Sequence, residues 1–259
     1  DNTAKTKTTD DIISIGEFKF STKVSFEEQV NDALDGKLNR RNALFVSETP
    51  ELLQKIGMKQ LPMLYTQKHL RDAMKPKSDK NSHHHGLTKE QILKMADIIK
   101  NPAIIMDSMS QENSVVVVSD VLDDDKAPII MSIVANGTGI YELKNVKSNF
   151  ISSYYGKDNG FESFIERALE TDNILYLSKE KSQSLYQQTG LQLPGGFNKL
   201  GYDKIIHQSN NIVNTHTNKL TYTFLIEDFK WVSFDDSVFF IEFQELRSVI
   251  TRETKCHLS

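Results

Sequence analysis

Two stretches hold residue types able to move protons and bind charge: His83-His84-His85-Gly86-Leu87 and Ser148-Asn149-Phe150-Ile151-Ser152-Ser153-Tyr154-Tyr155-Gly156-Lys157. Histidine titrates near neutrality, which suits a general acid or base. Three consecutive histidines cannot all face one point on a regular element. His85 is the candidate acid or base, and His84 is its substitute or a substrate contact. Gly86 lets the backbone turn sharply beside them. The competing reading of the run is an exposed polar loop or an adventitious metal-binding patch. Zinc is disfavoured because no HExxH motif or Cys/His pairing supplies the remaining ligands.

In the second stretch, alternate residues of a strand share a face. Ser152 and Tyr154 then point one way, and Ser153, Tyr155 and Lys157 the other. The hydroxyls suit a phosphate or a developing oxyanion, and the lysine suits its charge. A half-exposed strand end, with no chemistry, explains the same residues. Asp107-Ser108 closes the apolar run Ala103–Met106. Asp107 either orients a histidine or contacts substrate, or it begins a turn, which is the favoured reading. Lys179 and Lys181 lie beside a helix start in Tyr176–Ser182, a pattern that suits phosphate or a solvated cap. Asp120 and Asp123–Asp125 resemble a calcium loop only in charge, without the required spacing and glycine, and read as a hairpin turn. There is no Walker A loop, no GxGxxG opening a helix and no GxSxG elbow.

The elements that must position these residues change character along the chain. Helices come first: Ser25 caps one that stops at Gly36, and Thr49-Pro50-Glu51 opens a second that ends at Gly57. Thr66 caps a third, and Thr88 with Gln91 has capping-box spacing for a fourth that closes at Asn101-Pro102. Short strands fall at Ala43–Val46 and Leu61–Tyr65. The periodicity then switches to strands at Ala103–Met106, Val115–Val118, Ile129–Val134, Ile140–Leu143 and Asn149–Tyr154. Asp123–Lys126 and Asn136-Gly137 read as the turns between them. Short links favour antiparallel pairing. A helix over Phe161–Leu169, a strand at Ile174–Leu177 and a short helix ending near Gly190 follow. The pattern predicts an α+β fold in which N-terminal helices pack on a mainly antiparallel sheet, with an extra C-terminal β-rich segment. The predicted divisions are a linker and helix over 1–40, a main domain over 41–194 and a β-rich extension over 195–259. That extension has strands at Thr221–Ile226, Val238–Phe243 and Leu246–Ile250, with Trp231 between the first two. Ile12 to Phe20 could add a strand or anchoring segment.

Composition narrows the class. With 259 residues, 38% hydrophobic and 25% charged, the chain suits one large domain or an ordinary domain with additions. A net charge of −4 argues against nonspecific coating of nucleic acid but permits a local basic groove. The single cysteine, Cys256, excludes an intramolecular disulfide framework and a Cys-rich zinc site. No apolar run approaches the roughly 18–20 residues that span a bilayer, and no signal-peptide core is visible. The chain begins at Asp1 rather than Met, as expected for a segment or a processed product.

Taken in order, several short motifs resemble the phage MuF C-terminal domain and related modules of phage and mobile-element polyvalent proteins. They are Ala43–Val46, Thr49–Leu53, Leu61-Pro62-Met63, His85-Gly86-Leu87, Asn101-Pro102, Asp107-Ser108, Ser114–Val118, Ser148–Gly156, and Asn173–Tyr176 with Lys179–Ser182. That group is similar to the barnase/EndoU/colicin/RelE-like nuclease fold, which also forms toxin tips. The resemblance implies a sheet that cradles RNA, or another nucleic acid, and a metal-independent ribonuclease needing no cofactor. In that reading His85 is the acid or base, with His84 able to replace it. Ser152, Ser153 and Tyr155 bind phosphate, and Lys157 stabilises charge. Asp107, Lys179 and Lys181 contact substrate. The implied setting is the cytoplasm, or a target bacterial cytoplasm after delivery, with an immunity protein as partner. The alternative is a non-catalytic binding or structural module of a phage or mobile-element protein, suggested by the acidic balance and by Phe239, Phe240 and Phe243. An ADP-ribosyltransferase would need glutamates at a spacing that Glu242 and Glu245 do not have.

Overall fold

A computed structural model describes residues 24–77 and 84–212, together with the backbone of 222–226 and 230–234. His83, the Ile12–Phe20 segment and the expected strands at Val238–Phe243 and Leu246–Ile250 lie outside the described residues. The chain divides into two compact units, Asp1–Ile212 and Val213–Ser259.

The first unit is built on a seven-stranded mixed sheet, and the fold class is α+β. Its strands are β1 (Ala43–Glu48), β2 (Pro62–Thr66), β3 (Ile104–Asp107), β4 (Ser114–Leu122), β5 (Pro128–Tyr141), β6 (Lys144–Gly156) and β7 (Ile174–Leu177), in the spatial order β1-β2-β6-β5-β4-β3-β7. Consecutive strands β3 to β6 form an antiparallel meander. β2 joins it by pairing parallel to β6 at Met63–Tyr65 against Asn149–Ile151.

The helices are α1 (Phe26–Leu34), α2 (Glu51–Lys55), α3 (Gln67–Met74), α4 (Lys89–Leu93), α5 (Met95–Lys100), α6 (Phe161–Glu170), α7 (Lys179–Thr189) and α8 (Phe197–Leu200). Local chemistry sets their starts. Ser25 with Glu28 and Thr88 with Gln91 form complete capping boxes, while Thr66 and Ser178 each accept from a backbone N–H of the first turn. Each such cap contributes about 1 kcal/mol. At α2 the expected Thr49 cap is replaced by Pro50 without a side-chain bond. Thr49 Oγ1 instead donates to the Leu61 carbonyl and accepts from Asn149 Nδ2. The helix expected from Thr88 to Asn101 breaks at Lys94 into α4 and α5.

Both faces of the sheet are covered. One buries Leu44, Met63, Tyr65, Ile105, Val117, Met131 and Ile151 against Val30 of α1, Leu53 of α2, Leu70 of α3 and Ile92, Met95 and Ile99 of α4–α5. The other buries Ile104, Met106, Val116, Val118 and Ile130 under Phe161, Ile165, Leu185, Tyr186 and Phe197 from α6, α7 and α8. Each fully buried large apolar side chain contributes roughly 1.5–3 kcal/mol. The segment after α8 belongs to the same packing, because Ile212 is buried in the first of these clusters.

The expected Asn136-Gly137 turn is not a turn. β5 runs unbroken from Pro128 to Tyr141, and Asn136-Gly137 lies where the pairing with β6 shifts register. Asn136 sits at φ 56° and its N–H donates to the Asn149 side chain. The chain reverses instead at Glu142-Leu143, both at positive φ. A buried acceptor facing Asn136 turns the sequence signal for a hairpin into a bulge.

The second unit shows a two-stranded antiparallel hairpin of β8 (Tyr222–Ile226) and β9 (Lys230–Phe234). β8 lies where a strand was expected. β9, which contains Trp231, was not anticipated.

Candidate functional site

The site forms where β6 leaves its neighbour. β2 pairs with β6 only as far as Ile151, and beyond that point β6 is bonded on one side, to β5. At this junction Ser152 is a bulge, because Ile151 opposes Ile133 while Ser153 opposes Ser132. A bulge inserts one residue and shifts the inward–outward alternation. Ile151 and Tyr154 therefore face the same core, although they are three positions apart. Tyr154 is 1% exposed and its hydroxyl donates to the Gln91 carbonyl at 2.7 Å. Ser152 Oγ donates to the Ser132 carbonyl at 3.4 Å.

Ser153, Tyr155 and Lys157 alternate on the opposite side and are all half-buried. The His85 ring lies on the Tyr155 ring, with centroids 5.0 Å apart and planes 24° from parallel. Face-to-face offset rings leave the polar atoms at their edges, so the imidazole nitrogens and the phenol oxygen stay on the rim of the stack. Burial, reinforced by the negative charge of Asp158, raises the Tyr155 phenol above its ordinary range. The hydroxyl is a proton donor at neutral pH. The Lys157 backbone N–H donates to the Pro128 carbonyl, and its Nζ sits 5.9 Å from the centre of the Phe164 ring. The Asp72 carboxyl is held below its ordinary value chiefly by the bond from Lys75, with His84 among the smaller contributors, so His84 lies near Asp72.

The remaining sequence candidates are placed elsewhere. Asp107 is 2% exposed, and its carboxylate accepts from the Ser209 hydroxyl and from the Asn210 N–H at 2.9 Å. Along the sheet register it aligns through Val115 and Ile133 with Ile151, on the far side of the bulge. Tyr155 aligns through Ile130 and Val118 with Ile104. Asp107 therefore anchors the 209–210 segment instead of orienting a histidine. Lys181 Nζ is paired with Asp120 at 2.8 Å. The Lys179 N–H is capped by Asp203 at 3.0 Å, and Lys179 borders a shallow depression with Glu180, Gln183, Ser184, Gln187 and Asp203.

Sequence reasoning passed over a second set of residues. Lys77 Nζ donates to Asp123 Oδ2 at 3.0 Å and to Asp125 Oδ2 at 2.6 Å. Burial alone would lower the Lys77 ammonium; the bonds to Asp125 and Asp123 outweigh it and hold the group above its ordinary value. Gly156 lies directly against this pair, since a Cβ there would come within 2.1 Å of Asp123 Oδ2. Only the pairing of histidine, hydroxyls and lysine was visible beforehand. The Asp123–Asp125 turn was read correctly as a turn, but nothing local signals a lysine 46 residues earlier as its partner.

Among the described residues, no group of three or more His, Cys, Asp or Glu is arranged to hold a metal ion, and no helix is long and apolar enough to cross a membrane. The arrangement offers one imidazole stacked on one protonated phenol near the end of β6, with one ammonium two residues further along, over Phe164. The segment that holds all three, residues 76–184, matches the family model described as the Phage MuF-C-terminal domain. No curated protein and no solved structure matches the chain.

Proposed function

We propose that the segment matching the phage MuF-C-terminal domain is a metal-independent ribonuclease, and that the His85–Tyr155 stack is its working centre. The observation that carries this reading is the stack itself: an imidazole and a protonated phenol share one half-buried rim, on the strand face that alternation also gives to Ser153 and Lys157. In the reaction, His85 takes the proton of a ribose 2′-hydroxyl. The 2′-oxygen forms a bond to the adjacent phosphorus, and the bond from phosphorus to the 5′-oxygen breaks. Solvent water gives a proton to that leaving oxygen, and the protonated His85 then returns its proton to solvent, so the products are a 2′,3′-cyclic phosphate and a 5′-hydroxyl. Nucleophile and phosphate are already linked, so proximity supplies much of the rate. Tyr155 and Ser153 donate to the phosphate oxygens, and Lys157 opposes their growing charge. The setting is a cytoplasm that the protein occupies or is delivered into, with an immunity protein as the natural restraint.

Total RNA incubated with the purified chain in EDTA tests this reading. Wild-type protein cleaves, and His85→Ala lowers the rate about 1,000-fold, within the range for loss of a general base. Absence of cleavage by wild type, or equal cleavage by both proteins, overturns it.

One observation favours the alternative of a non-catalytic binding module. Lys77 and Lys181 are neutralised by aspartates, and Asp123, Asp124, Asp125 and Asp158 lie in or next to the strand ends around the stack. Such a surface favours a basic partner over RNA. A wild-type protein that is inactive on RNA but retains a folded His85–Tyr155 stack supports this second reading.

A further inference from the structure

Residues 84–87, which carry His85, belong to no helix or strand, yet the His85 ring is held on a side chain of a distant strand. Lys77 before it and Gln91 of α4 after it both bond to one feature, the turn between β4 and β5. Lys77 bridges Asp123 and Asp125 of the turn. Gln91 Nε2 donates to Asp124 Oδ1 at 3.0 Å and reaches the Leu122 carbonyl at 3.4 Å. The turn itself is rigid, because Asp123 Oδ1 accepts from the N–H groups of Asp125 and Ala127 at 3.0 and 2.8 Å. Asp123 is therefore a buried carboxylate with both oxygens occupied, one by its own turn and one by Lys77. Its side chain is 3% exposed, while that of Lys77 is 37% exposed.

Two glycines bring the paired rings to this point from opposite sides. Gly86, next to His85, sits at φ +66°, and a Cβ there would be 3.6 Å from both the Lys77 backbone nitrogen and its Cγ. Its N–H donates to the Lys75 carbonyl at 2.7 Å. Gly156, next to Tyr155, leaves no room for any side chain beside the Asp123 carboxylate. The order is His85-Gly86, then Lys77, then Asp123, then Gly156-Tyr155. The ion pair is the spacer between the backbone of the loop and the backbone of the strand.

We propose that Lys77 and Asp123 are positioning residues that hold the His85 ring on Tyr155 by clamping the His85 loop to the β4–β5 turn. The proposal rests on the reading that this stack is the working centre, and it adds the residues that set its geometry. Neither Lys77 nor Asp123 takes part in proton transfer. A surface ion pair is worth little, but a lysine bridging a buried carboxylate is different, because its loss leaves that charge unmatched. Gln91 keeps its own bond to the turn when the lysine charge is removed.

The test compares Lys77→Met, which keeps the stem beside Gly86 and removes the charge, with Lys77→Arg, which keeps the charge. The first readout is the NMR shift of the His85 ring protons, assigned with His85→Ala, in the whole chain without RNA. In wild type these protons lie upfield of an ordinary histidine because of the Tyr155 ring. Lys77→Met moves them back toward the ordinary position while the Tyr154 resonances stay in place, and Lys77→Arg restores the upfield position. An unchanged His85 shift in Lys77→Met overturns the proposal. So does global unfolding of Lys77→Met, which would make the pair a support of the fold and not of the loop. The second readout, RNA cleavage, falls about 100-fold in kcat with little change in KM, the scale of a 1 Å misplacement. Inactivity of wild type sinks the ribonuclease reading and leaves the NMR result to judge the clamp independently.

Discussion

Ser148–Ile151 and Ser152–Lys157 are consecutive stretches of one strand with similar composition, yet their surroundings differ. The first is bonded on both sides, to β2 and to β5. Within it Asn149 is fully buried, with Nδ2 donating to Thr49 Oγ1 at 2.8 Å and to the Lys59 carbonyl at 2.9 Å. Its Oδ1 accepts from the Asn136 N–H at 3.1 Å. The polar side chain thus stitches together the residue that follows β1, the loop before β2, and β5. The second stretch has one strand partner; Tyr154 is buried, while Ser152, Ser153, Tyr155 and Lys157 stay half-exposed, with the His85 ring on Tyr155. A polar residue in a strand is structural where both edges are covered and its side chain is bonded inside, as at Asn149. The same residue types become available for chemistry where one edge is open.

The bulge at Ser152 divides the two stretches, and inserting one alanine between Ser153 and Tyr154 gives the largest expected effect. The extra residue makes Tyr154 and Tyr155 exchange faces, which drives a buried tyrosine out of the core. Stability falls by about 5 kcal/mol, measured by denaturant unfolding. A fully stable insertion variant would mean that the alternation after the bulge is misplaced. Asn149→Ala comes next, at about 3 kcal/mol, because it strands the Asn136 N–H and removes three bonds. Thermal and chemical unfolding check it, and a loss below about 1 kcal/mol would place Asn149 outside the structural network.

A pair of neighbouring substitutions sharpens the contrast. Tyr154→Phe removes the bond to the Gln91 carbonyl and lowers stability by about 1 kcal/mol while leaving cleavage intact. Tyr155→Phe changes stability by less than about 0.5 kcal/mol but lowers the cleavage rate. Exchange of these outcomes would reverse the assignment of the two faces.

The smallest effect is in pH dependence. Lys77 is held above its ordinary value in the folded chain. Its contribution is therefore complete below the unfolded lysine value of about 10.4 and is lost as pH rises through the higher folded value. The stability difference between wild type and Lys77→Met should stay level up to that point and shrink above it. Taking the difference removes the tyrosines, which titrate in the same range. A difference that shrinks near neutral pH instead would point to another group.

Local chemistry was readable in the sequence; pairings across long distances were not. The caps at Ser25, Thr66 and Thr88 were legible because a hydroxyl and a first-turn N–H lie within a few residues of each other. The α+β class and the β3–β6 meander followed from periodicity. Asn136-Gly137 was misread because a turn signal is local, while the Asn149 acceptor that converts it to a bulge lies 13 residues away. The parallel β2–β6 pairing, the Ser152 bulge and the Lys77–Asp123 bridge all depend on contacts between remote segments. Alternation alone pointed to two possible hydroxyl pairs for His85, and the stack selects the side of Tyr155. Asp107 looked available because its partners, Ser209 and Asn210, come from a stretch that reads only as polar loop.

The central claim is that the open end of β6 meets RNA and the closed end does not. It is tested most directly by titrating the isotope-labelled chain with a 2′-O-methyl RNA oligonucleotide, which can bind but lacks the attacking hydroxyl. The His85 and Tyr155 ring resonances should move on titration, while the Asn149 side-chain amide stays fixed. Saturating oligonucleotide that leaves His85 and Tyr155 unmoved would contradict the account.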